Sequence, residues 1–336
     1  MFGKHTIPIT LVVCGAIIIA IVWFQYQSFR GFSAVLLPNT TQNRTLQTTD
    51  KVKHIVPLNQ LVSGGIAKEG IPSIDQPKFE SVSVSDQYLN NDGLGIAIEQ
   101  KGSIKFYPYQ MLVWHHAIND VAAGEPILIS FNPLTLAGAV FERTVSGSVL
   151  DFGVSDRVYN NDLLLYDRKT QSLWDPMMHQ SIIGELAGTS LTFYPFSIMT
   201  WNDFKTLHAN GSVLSRKSGF ERDYTHDPYE SYYSDQRILF PVSSKNDRLS
   251  SKEFVVGLET TQGWKAYPLK QIEKETVITD KIGSLSVSIE KERSTSIIHA
   301  YLVDANGSHT KELPFIQSYW FAWAAAYPQT DLYLLK

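Results

Sequence analysis

The stretch GIAIEQKGSIKFYP, residues 95–108, has a second version in the chain, VVGLETTQGWKAYP, at residues 255–268. Both stretches contain β-type residues around a Gly-containing turn and both end in Tyr-Pro, which is typical of a β-hairpin. Without a gap, residues 95–148 match residues 255–308 at 10 of 54 positions, against about three or four expected from average composition. The pattern indicates two degenerate copies of one β unit, with chance similarity between two β-rich stretches as the alternative.

Two helical patterns follow these stretches, at residues 197–208 and 318–327. They correspond at an offset of 119 residues rather than 160, so the first copy should carry an insertion of about 41 residues within 149–195. The resulting division is copy one over about 94–214, a linker over about 215–253 and copy two over about 254–335, each copy with a C-terminal helix.

Short runs of strand-forming residues bounded by Gly, Pro, Asn or Asp recur through both copies, which is typical of a β-dominated chain. We therefore predict a mainly β fold (β-rich α+β). The runs are Gly95–Ile98, Ile127–Phe131, Ala139–Val145, Val149–Val154, Leu163–Tyr166, Phe254–Leu258, Leu285–Ile289 and Ile297–Val303.

The N-terminal part reads as a membrane segment. Residues 7–24 carry no charged side chain and are long enough, at about 1.5 Å per residue, to span a bilayer as one transmembrane helix. A cleaved signal peptide is the alternative. We assign residues 1–30 to a membrane anchor, 31–54 to a polar stalk and 55–336 to an ectodomain. Acceptor sequons beginning at Asn39 and Asn43 favour an extracytoplasmic ectodomain.

Composition excludes several classes of protein. The 336 residues carry a net charge of −4, so the chain lacks the overall basic footprint of a nucleic-acid-binding protein and nucleic acid is not an expected partner. The single cysteine, Cys14, excludes an internal disulfide framework and Cys-based metal or haem attachment. No phosphate-binding, nucleophile-elbow or EF-hand motif is present. The sequence names no cofactor and no reaction.

Candidate site residues are taken from the first copy, its insertion and the linker, because chemistry is expected where one copy departs from the other. Histidine and carboxylate side chains suit acid–base work or a divalent metal, and dense polar and aromatic groups suit a ligand pocket. The catalytic candidates are His115, Asp120, Asp162 and Asp223. The metal candidates are His115, His116 and Asp120. The ligand-binding candidates are Asn119, Asn132, Tyr159, Asn160, Arg222 and Asp227.

Each of these groups also has a structural interpretation. The residues around His115 could form a buried turn in which His and Asn satisfy backbone groups. Asn160 and its neighbours are turn formers. The segment around Asp223, which lies between the copies, could be a solvated linker with ion pairs of little energetic value.

A series of ordered motifs resembles the domain-of-unknown-function family 3179, over about residues 55–335. The motifs are IPSIDQPKF (71–79), YP (107–108), WH (114–115), IND (118–120), NPL (132–134), FGVS (152–155), YNNDL (159–163), YDR (166–168), SLW (172–174), RDY (222–224), DPY (227–229) and DRL (247–249). The resemblance implies an export or membrane segment and no defined activity. Family members typically have cysteine, or selenocysteine, where this chain has Asn132. An amide cannot ionise or attack as a thiol does, so a redox or nucleophilic role at this position would be lost or altered here.

Three hypotheses remain open. The first is a binding or interaction module for a small ligand or a surface protein, tethered to the membrane through residues 7–24. The second is an enzyme, such as a metal-assisted hydrolase, with His and Asp side chains of copy one in a single pocket. The third is a redox-derived fold in which Asn132 replaces the thiol.

Overall fold

Strands dominate the computed structural model of the chain, which describes residues 44–334. The prediction of a mainly β fold is confirmed. The predicted membrane segment, residues 7–24, lies outside the described residues. Within residues 44–334, no helix is both long and apolar enough to cross a membrane.

The strands, in chain order, are β1 (Gln47–Thr49), β2 (Val52–His54), β3 (Val62–Ser63), β4 (Phe79–Ser81), β5 (Leu94–Gln100), β6 (Ser103–Pro108), β7 (Ala117–Ala122), β8 (Glu125–Asn132), β9 (Ala137–Glu142), β10 (Thr144–Val145), β11 (Ser148–Val149), β12 (Phe152–Tyr159), β13 (Asp162–Asp167), β14 (Leu173–Asp175), β15 (Gln180–Ile183), β16 (Ser197–Thr200), β17 (Ser212–Leu214), β18 (Phe254–Thr260), β19 (Gly263–Pro268), β20 (Val277–Ile282), β21 (Leu285–Lys291), β22 (Ile298–Val303), β23 (His309–Glu312), β24 (Phe315–Tyr319) and β25 (Asp331–Leu332). The helices are a 3-10 turn (Leu58–Gln60), α1 (Val82–Ser85), α2 (Tyr109–His115), α3 (Trp201–Leu207), α4 (Glu230–Tyr233), α5 (Leu269–Glu275) and α6 (Trp320–Ala326).

Two regions of the molecule have the same order of elements. The first unit, residues 94–214, contains the β5–β6 hairpin, α2, the strands β7 to β9, and then β16, α3 and β17. The second unit, residues 254–332, contains the β18–β19 hairpin, α5, the strands β20 to β23, and then β24, α6 and β25. In each unit the last strand pairs in parallel with the second strand of the hairpin, Ser212 with Lys105 and Asp331 with Lys265.

The two closing helices are shorter than their sequence patterns. The pattern at residues 197–208 begins with β16, which pairs with β5, and α3 starts only at Trp201. Thr200 caps this helix, because its hydroxyl accepts a hydrogen bond from the Asp203 amide at 3.1 Å. The pattern at residues 318–327 likewise begins with the end of β24. Pairing with a neighbouring strand overrides the helical periodicity at both starts.

Additional strands in the first unit form most of a separate sheet. This insertion, residues 144–183, contains the short β10–β11 hairpin and the strands β12 to β15. Strands β12 to β15 lie in a seven-stranded sheet with the order β1-β2-β15-β14-β13-β12-β3. Side chains of this sheet share one hydrophobic core with Leu128 and Phe141 of the first unit. The insertion therefore contributes to the packing of β8 and β9.

The end of the predicted polar stalk is folded, which corrects its boundary. Residues 47–54 form the β1–β2 hairpin, and His54 pairs with Ile183 of β15. Asp50 and Lys51 both have positive φ, as a two-residue turn between antiparallel strands requires. Arg44, the first described residue, reaches the Ala326 carbonyl oxygen and the Met178 sulfur.

A second N-terminal segment crosses the first unit. This strap, residues 72–81, covers the outer edge of β7, where Ile74 donates its N–H to the Ala117 carbonyl at 3.0 Å and accepts from the Asn119 N–H at 2.8 Å. Its last residues form β4, which pairs with β17. The strap thus covers two strand edges of the first unit.

Candidate functional site

His115 is the most tightly surrounded of the candidate residues. It ends α2 and is fully buried. Its Nδ1–H donates to the Pro72 carbonyl at 2.8 Å, so Nε2 accepts from the Tyr224 hydroxyl at 2.6 Å. Burial lowers the pKa of His115 to about 4. Both ring nitrogens have a protein partner, which leaves no lone pair for a metal.

His116, the next residue, is also held in the neutral form. Its backbone has a φ of 57°, and its ring accepts a hydrogen bond from the Tyr229 hydroxyl at 3.3 Å. Burial lowers the pKa of His116 to about 3. Tyr224 and Tyr229 both belong to the linker between the units, so the two histidines attach this linker to the first unit.

Asn119 and Asp120 are adjacent on β7 but belong to different networks. The Asn119 side-chain amide donates to Asp75 at 2.7 Å and to the Phe152 carbonyl at 2.8 Å, and its oxygen accepts from the Phe152 N–H at 2.9 Å. Arg168 of the insertion also donates to Asp75, at 2.8 Å. Asn119 thus joins the strap to the insertion, which is a structural role.

Asp120 has two close partners within its own unit. Its carboxylate accepts from Lys105 Nζ at 2.8 Å and from the Tyr107 hydroxyl at 2.6 Å. Burial raises the pKa of Tyr107, and the Asp120 charge raises it further. Tyr107 therefore remains a hydrogen-bond donor at any ordinary pH.

Asn132 and Asp162 lie in direct contact inside the protein. The Asn132 amide donates to Asp162, and its oxygen accepts from the Leu134 N–H at 2.9 Å. Burial raises the pKa of Asp162 well above its usual range, and the neighbouring Asp175 carboxylate raises it further. Burial also raises the pKa of Asp175, so Asp162 and Asp175 form a buried carboxyl pair joined by a side-chain hydrogen bond, to which the Asn132 amide also donates.

Tyr159 and Asn160 lie at the end of β12, on the turn into β13. Asn160 has a φ of 52° and its side-chain oxygen accepts from the Ser243 N–H at 2.7 Å. Tyr159 also hydrogen-bonds to Ser243, and burial raises its pKa. The turn interpretation describes Asn160 well, because this amide fixes the linker segment that crosses it.

The linker candidates lie closer to solvent. Arg222 is exposed, with its guanidinium 5.9 Å from the centre of the Trp114 ring. Asp223 is also exposed and accepts from the Thr225 N–H at 3.0 Å. Asp227 accepts from the Tyr229 N–H at 2.8 Å.

The predicted residues therefore do not form one continuous network. Asn132 contacts Asp162, and Tyr159 shares Ser243 with Asn160. His115, Asn119 and Asp120 each bond to other partners. Across residues 44–334, no group of three or more His, Cys, Asp or Glu side chains is arranged to hold a metal ion.

A cleft of about 420 Å³ lies where the linker meets the first unit. It is lined by Tyr88, Leu89, Asn90, Gly93, Leu94, Pro108, Gln110, Val113, Tyr224, Thr225, His226 and Asp227. Gln110 and His226 both line it, and neither side chain has a hydrogen-bond partner among residues 44–334. No lysine or arginine contributes to this lining, and Asp227 does, so the cleft does not suit an anion.

Sequence reasoning identified Asp227 but missed Asn90, Gln110 and His226 as cleft residues. One signal was available for Gln110, because the residue 160 positions later is Lys270. Lys270 forms an ion pair with Glu253 at 2.9 Å, and Glu253 corresponds to Gly93. The first unit therefore has the uncharged Gln110 and a glycine, Gly93, at the two positions where the second unit has an ion pair. Asp175 was also missed, because nothing in its local sequence indicates contact with Asp162.

Comparison with known proteins gives a single result. The family model described as "Protein of unknown function (DUF3179)" matches residues 68–330. No curated protein and no solved structure gives a significant match. The matched residues include the strap, the first unit with its insertion, the linker and the second unit up to the end of α6. The chain therefore belongs to the DUF3179 family.

Proposed function

We propose that the protein is a ligand-binding module whose site is the cleft between the linker and the first unit. The observation that carries this proposal is the cleft's volume of about 420 Å³ together with the unpartnered Gln110 and His226 side chains on its wall. Pockets for small molecules have volumes of roughly 300–1,000 Å³ and combine apolar walls with a few polar groups. The ligand class that suits this lining is a small, neutral molecule with hydrogen-bonding groups.

The cleft residues also explain how such a ligand would be oriented. Tyr88 and Tyr224 supply aromatic surface, and Gln110 and His226 supply donors and acceptors. The Tyr224 hydroxyl is already hydrogen-bonded to His115 at 2.6 Å, so its ring is held in place before any ligand arrives. A preformed wall reduces the entropy lost on binding.

Native mass spectrometry of the purified full chain, followed by titration with any molecule that co-purifies, tests the proposal. Gln110→Ala and His226→Ala should each weaken binding about threefold to tenfold, the effect of one lost neutral hydrogen bond. Lys270→Ala, at the corresponding position of the second unit, is the matched control and should leave affinity unchanged. Equal affinity in all three variants would refute the cleft as the site.

The two enzyme hypotheses have less support. Both nitrogens of His115 are occupied, Asp120 is held by Lys105, and Asp223 lies in an exposed turn. A hydrolase built on these side chains would lack a free base. The redox hypothesis needs a thiol where Asn132 instead donates a hydrogen bond to Asp162.

We also propose a membrane-tethered, extracytoplasmic location. Its support is the uncharged stretch at residues 7–24 and the sequons that follow it. Protease treatment of intact cells, with immunodetection of the ectodomain, tests it. Digestion without lysis is the expected result, and full protection would place the ectodomain inside.

The two units are proposed to be degenerate copies of one unit. Support comes from strand pairing, because Gly95 pairs with Pro108 as Val255 pairs with Pro268, 160 residues later. Trp201 donates its N–H to the Gly93 carbonyl, and Trp320 donates to the Glu253 carbonyl, both at 2.8 Å.

A further inference from the structure

The outer edge of β20 differs from the outer edge of β7, its counterpart in the first unit. On β7, the strap forms two backbone hydrogen bonds through Ile74, one to the Ala117 carbonyl at 3.0 Å and one from the Asn119 N–H at 2.8 Å. These bonds bring Ile74 beside Ile118 as a parallel bridge. A short extended segment therefore already occupies this type of edge within the same molecule.

Strand β20 pairs with β21 in the same register as β7 pairs with β8. Ile278 pairs with Ile289, as Ile118 pairs with Ile129. The Val277 carbonyl and the Thr279 N–H consequently point away from β21, as the corresponding groups of β7 point away from β8. Neither group has a hydrogen-bond partner in the part of the chain that the structure describes.

The edge of β20 is also accessible. Val277 is 52% exposed, and Thr279 is exposed as well. Proteins usually protect an open strand edge, because its unpaired N–H and C=O groups are a template for another strand. The second unit has no segment in residues 44–334 that covers β20 as the strap covers β7.

The charges beside this edge indicate what would bind. Lys274 precedes β20 and Lys281 lies within it, both are exposed, and neither forms an ion pair with residues 44–334. Lys274 is flanked in sequence by Glu273 and Glu275, whereas Lys281 lies on the strand itself, so Lys281 is the cation that favours an acidic residue in the bound segment. The strap has this composition, because Asp75 follows Ile74 directly and accepts a hydrogen bond from β7 through Asn119 at 2.7 Å.

We propose that the edge of β20 binds an extended segment of a partner protein by parallel strand addition, with an apolar residue followed by an acidic one. The apolar residue would exchange backbone hydrogen bonds with Val277 and Thr279. Backbone bonds of this kind supply affinity in strand addition, and the side chains supply specificity.

Two other occupants fit less well. A second copy of this chain could offer the strap sequence only by releasing it, since Ile74 is only 1% exposed in its own unit. The N-terminal residues 1–43 contain no aspartate or glutamate, so they offer no carboxylate to Lys274 and Lys281.

A labelled peptide with the strap sequence IPSIDQPKF, residues 71–79, serves as the probe, with fluorescence anisotropy on the full chain as the readout. Thr279→Pro removes the outward N–H and leaves the hydrogen bonds between β20 and β21 intact. We expect this variant to weaken peptide binding roughly tenfold or more, since it removes one backbone bond and introduces a ring at the edge. Thr279→Val keeps the N–H and should bind about as well as the wild type.

Circular dichroism of both variants establishes that they are folded. Absence of saturable binding by the wild type would overturn the proposal, as would equal binding by Thr279→Pro. Sedimentation supplies the remaining test, because a wild-type dimer that Thr279→Pro dissociates would assign the edge to a second copy instead.

Discussion

In the first unit, Lys105 and Tyr107 hold the Asp120 carboxylate. In the second, Lys265 and Tyr267 hold Asp280 through the same two contacts, at 2.6 and 3.1 Å. A contact present in both units, although their side chains otherwise differ widely, belongs to the structure that both need. Asp120, a candidate for catalysis from its sequence, is better explained as a buried anchor between a hairpin and the next strand.

The opposite holds for the residues at the C-terminal ends of α2 and α5. The first unit has His115 and His116 there, and the second has Glu275 and Thr276. The backbone is the same, with a φ of 57° at His116 and 60° at Thr276. Only the histidines contact the linker. The difference between the units thus reports which side chains serve the linker and its cleft, and which serve the unit itself.

The largest expected effect is that of acid, which should destabilise the first unit more than the second. The folded pKa of His115, about 4, lies below the ordinary value of 6.5, so its contribution to stability is complete above pH 6.5 and is lost as the pH falls towards 4. The shift corresponds to roughly 3 kcal/mol of unfolding free energy. Urea unfolding of wild type and His115→Gln between pH 7 and 4 measures it, and the variant should show the shallower loss.

His299 in the second unit is the control for that experiment. Burial would lower the pKa of His299, but its hydrogen bonds to Glu312 and Glu292 outweigh burial and raise it. Its contribution is therefore complete at low pH and is lost as the pH rises through that raised value. His299→Gln should leave the acid side of the profile unchanged. An acid loss as shallow as that of His115→Gln would contradict the assignment to the first unit.

Removing the carboxylate that both units share should destabilise the protein more in the first unit than in the second, because the two carboxylates are unequally buried. The Asp120 side chain is 9% exposed and that of Asp280 is 20% exposed. We expect Asp120→Ala to cost about 2 kcal/mol of unfolding free energy and Asp280→Ala about 1 kcal/mol, because Asp120 is the more deeply buried carboxylate and lies closer to its tyrosine, at 2.6 Å against 3.1 Å. Chemical denaturation at pH 7 measures both, and equal costs would argue against burial as the cause.

The smallest expected effect concerns the shared positive φ. Thr276 is β-branched and has a φ of 60°, a conformation that disfavours such residues. Thr276→Gly should therefore raise the unfolding free energy by about 0.5–1 kcal/mol. His116→Gly relieves the same backbone but removes a buried ring, so it should destabilise. A thermal melt of each variant gives the sign, and two changes of the same sign would contradict this reasoning.

Much of the fold could be predicted because its signals are local. The hairpins that end in Tyr107-Pro108 and Tyr267-Pro268 follow from alternation and turn residues, and the mainly β class follows from their recurrence. The β1–β2 hairpin escaped prediction because its turn residues, Asp50 and Lys51, lack the usual Asn-Gly or Asp-Gly signature. The strap escaped prediction because its pairing with β7 depends on residues more than 40 positions away.

The candidate site could be predicted only in part, for the same physical reason. Asn132 and Asp162 were both singled out, and they are in contact. Their partner Asp175 lies on a strand whose position is set by the pairing of a whole sheet. The cleft depends on where the linker crosses α2, and no local pattern encodes that crossing. The part of the site that could not be predicted from a single sequence is therefore the part that is placed by contacts between residues distant in the chain.

The contacts of Arg44 and the β1–β2 hairpin have a mechanical consequence. Arg44 is fastened to Ala326, near the far end of the chain, while β2 joins its sheet through one residue pair, His54 with Ile183. A pull on the N terminus would load the last helix and this narrow junction first. Two backbone hydrogen bonds flank that pair, from the Gly184 N–H to the Lys53 carbonyl at 2.9 Å and from the Ile55 N–H to the Ile182 carbonyl at 3.0 Å. Because so short a junction must carry the load, the hairpin should peel away at low force while both units remain folded. Opening of the N-terminal hairpin would then lengthen the N-terminal part of the chain before the cleft is disturbed.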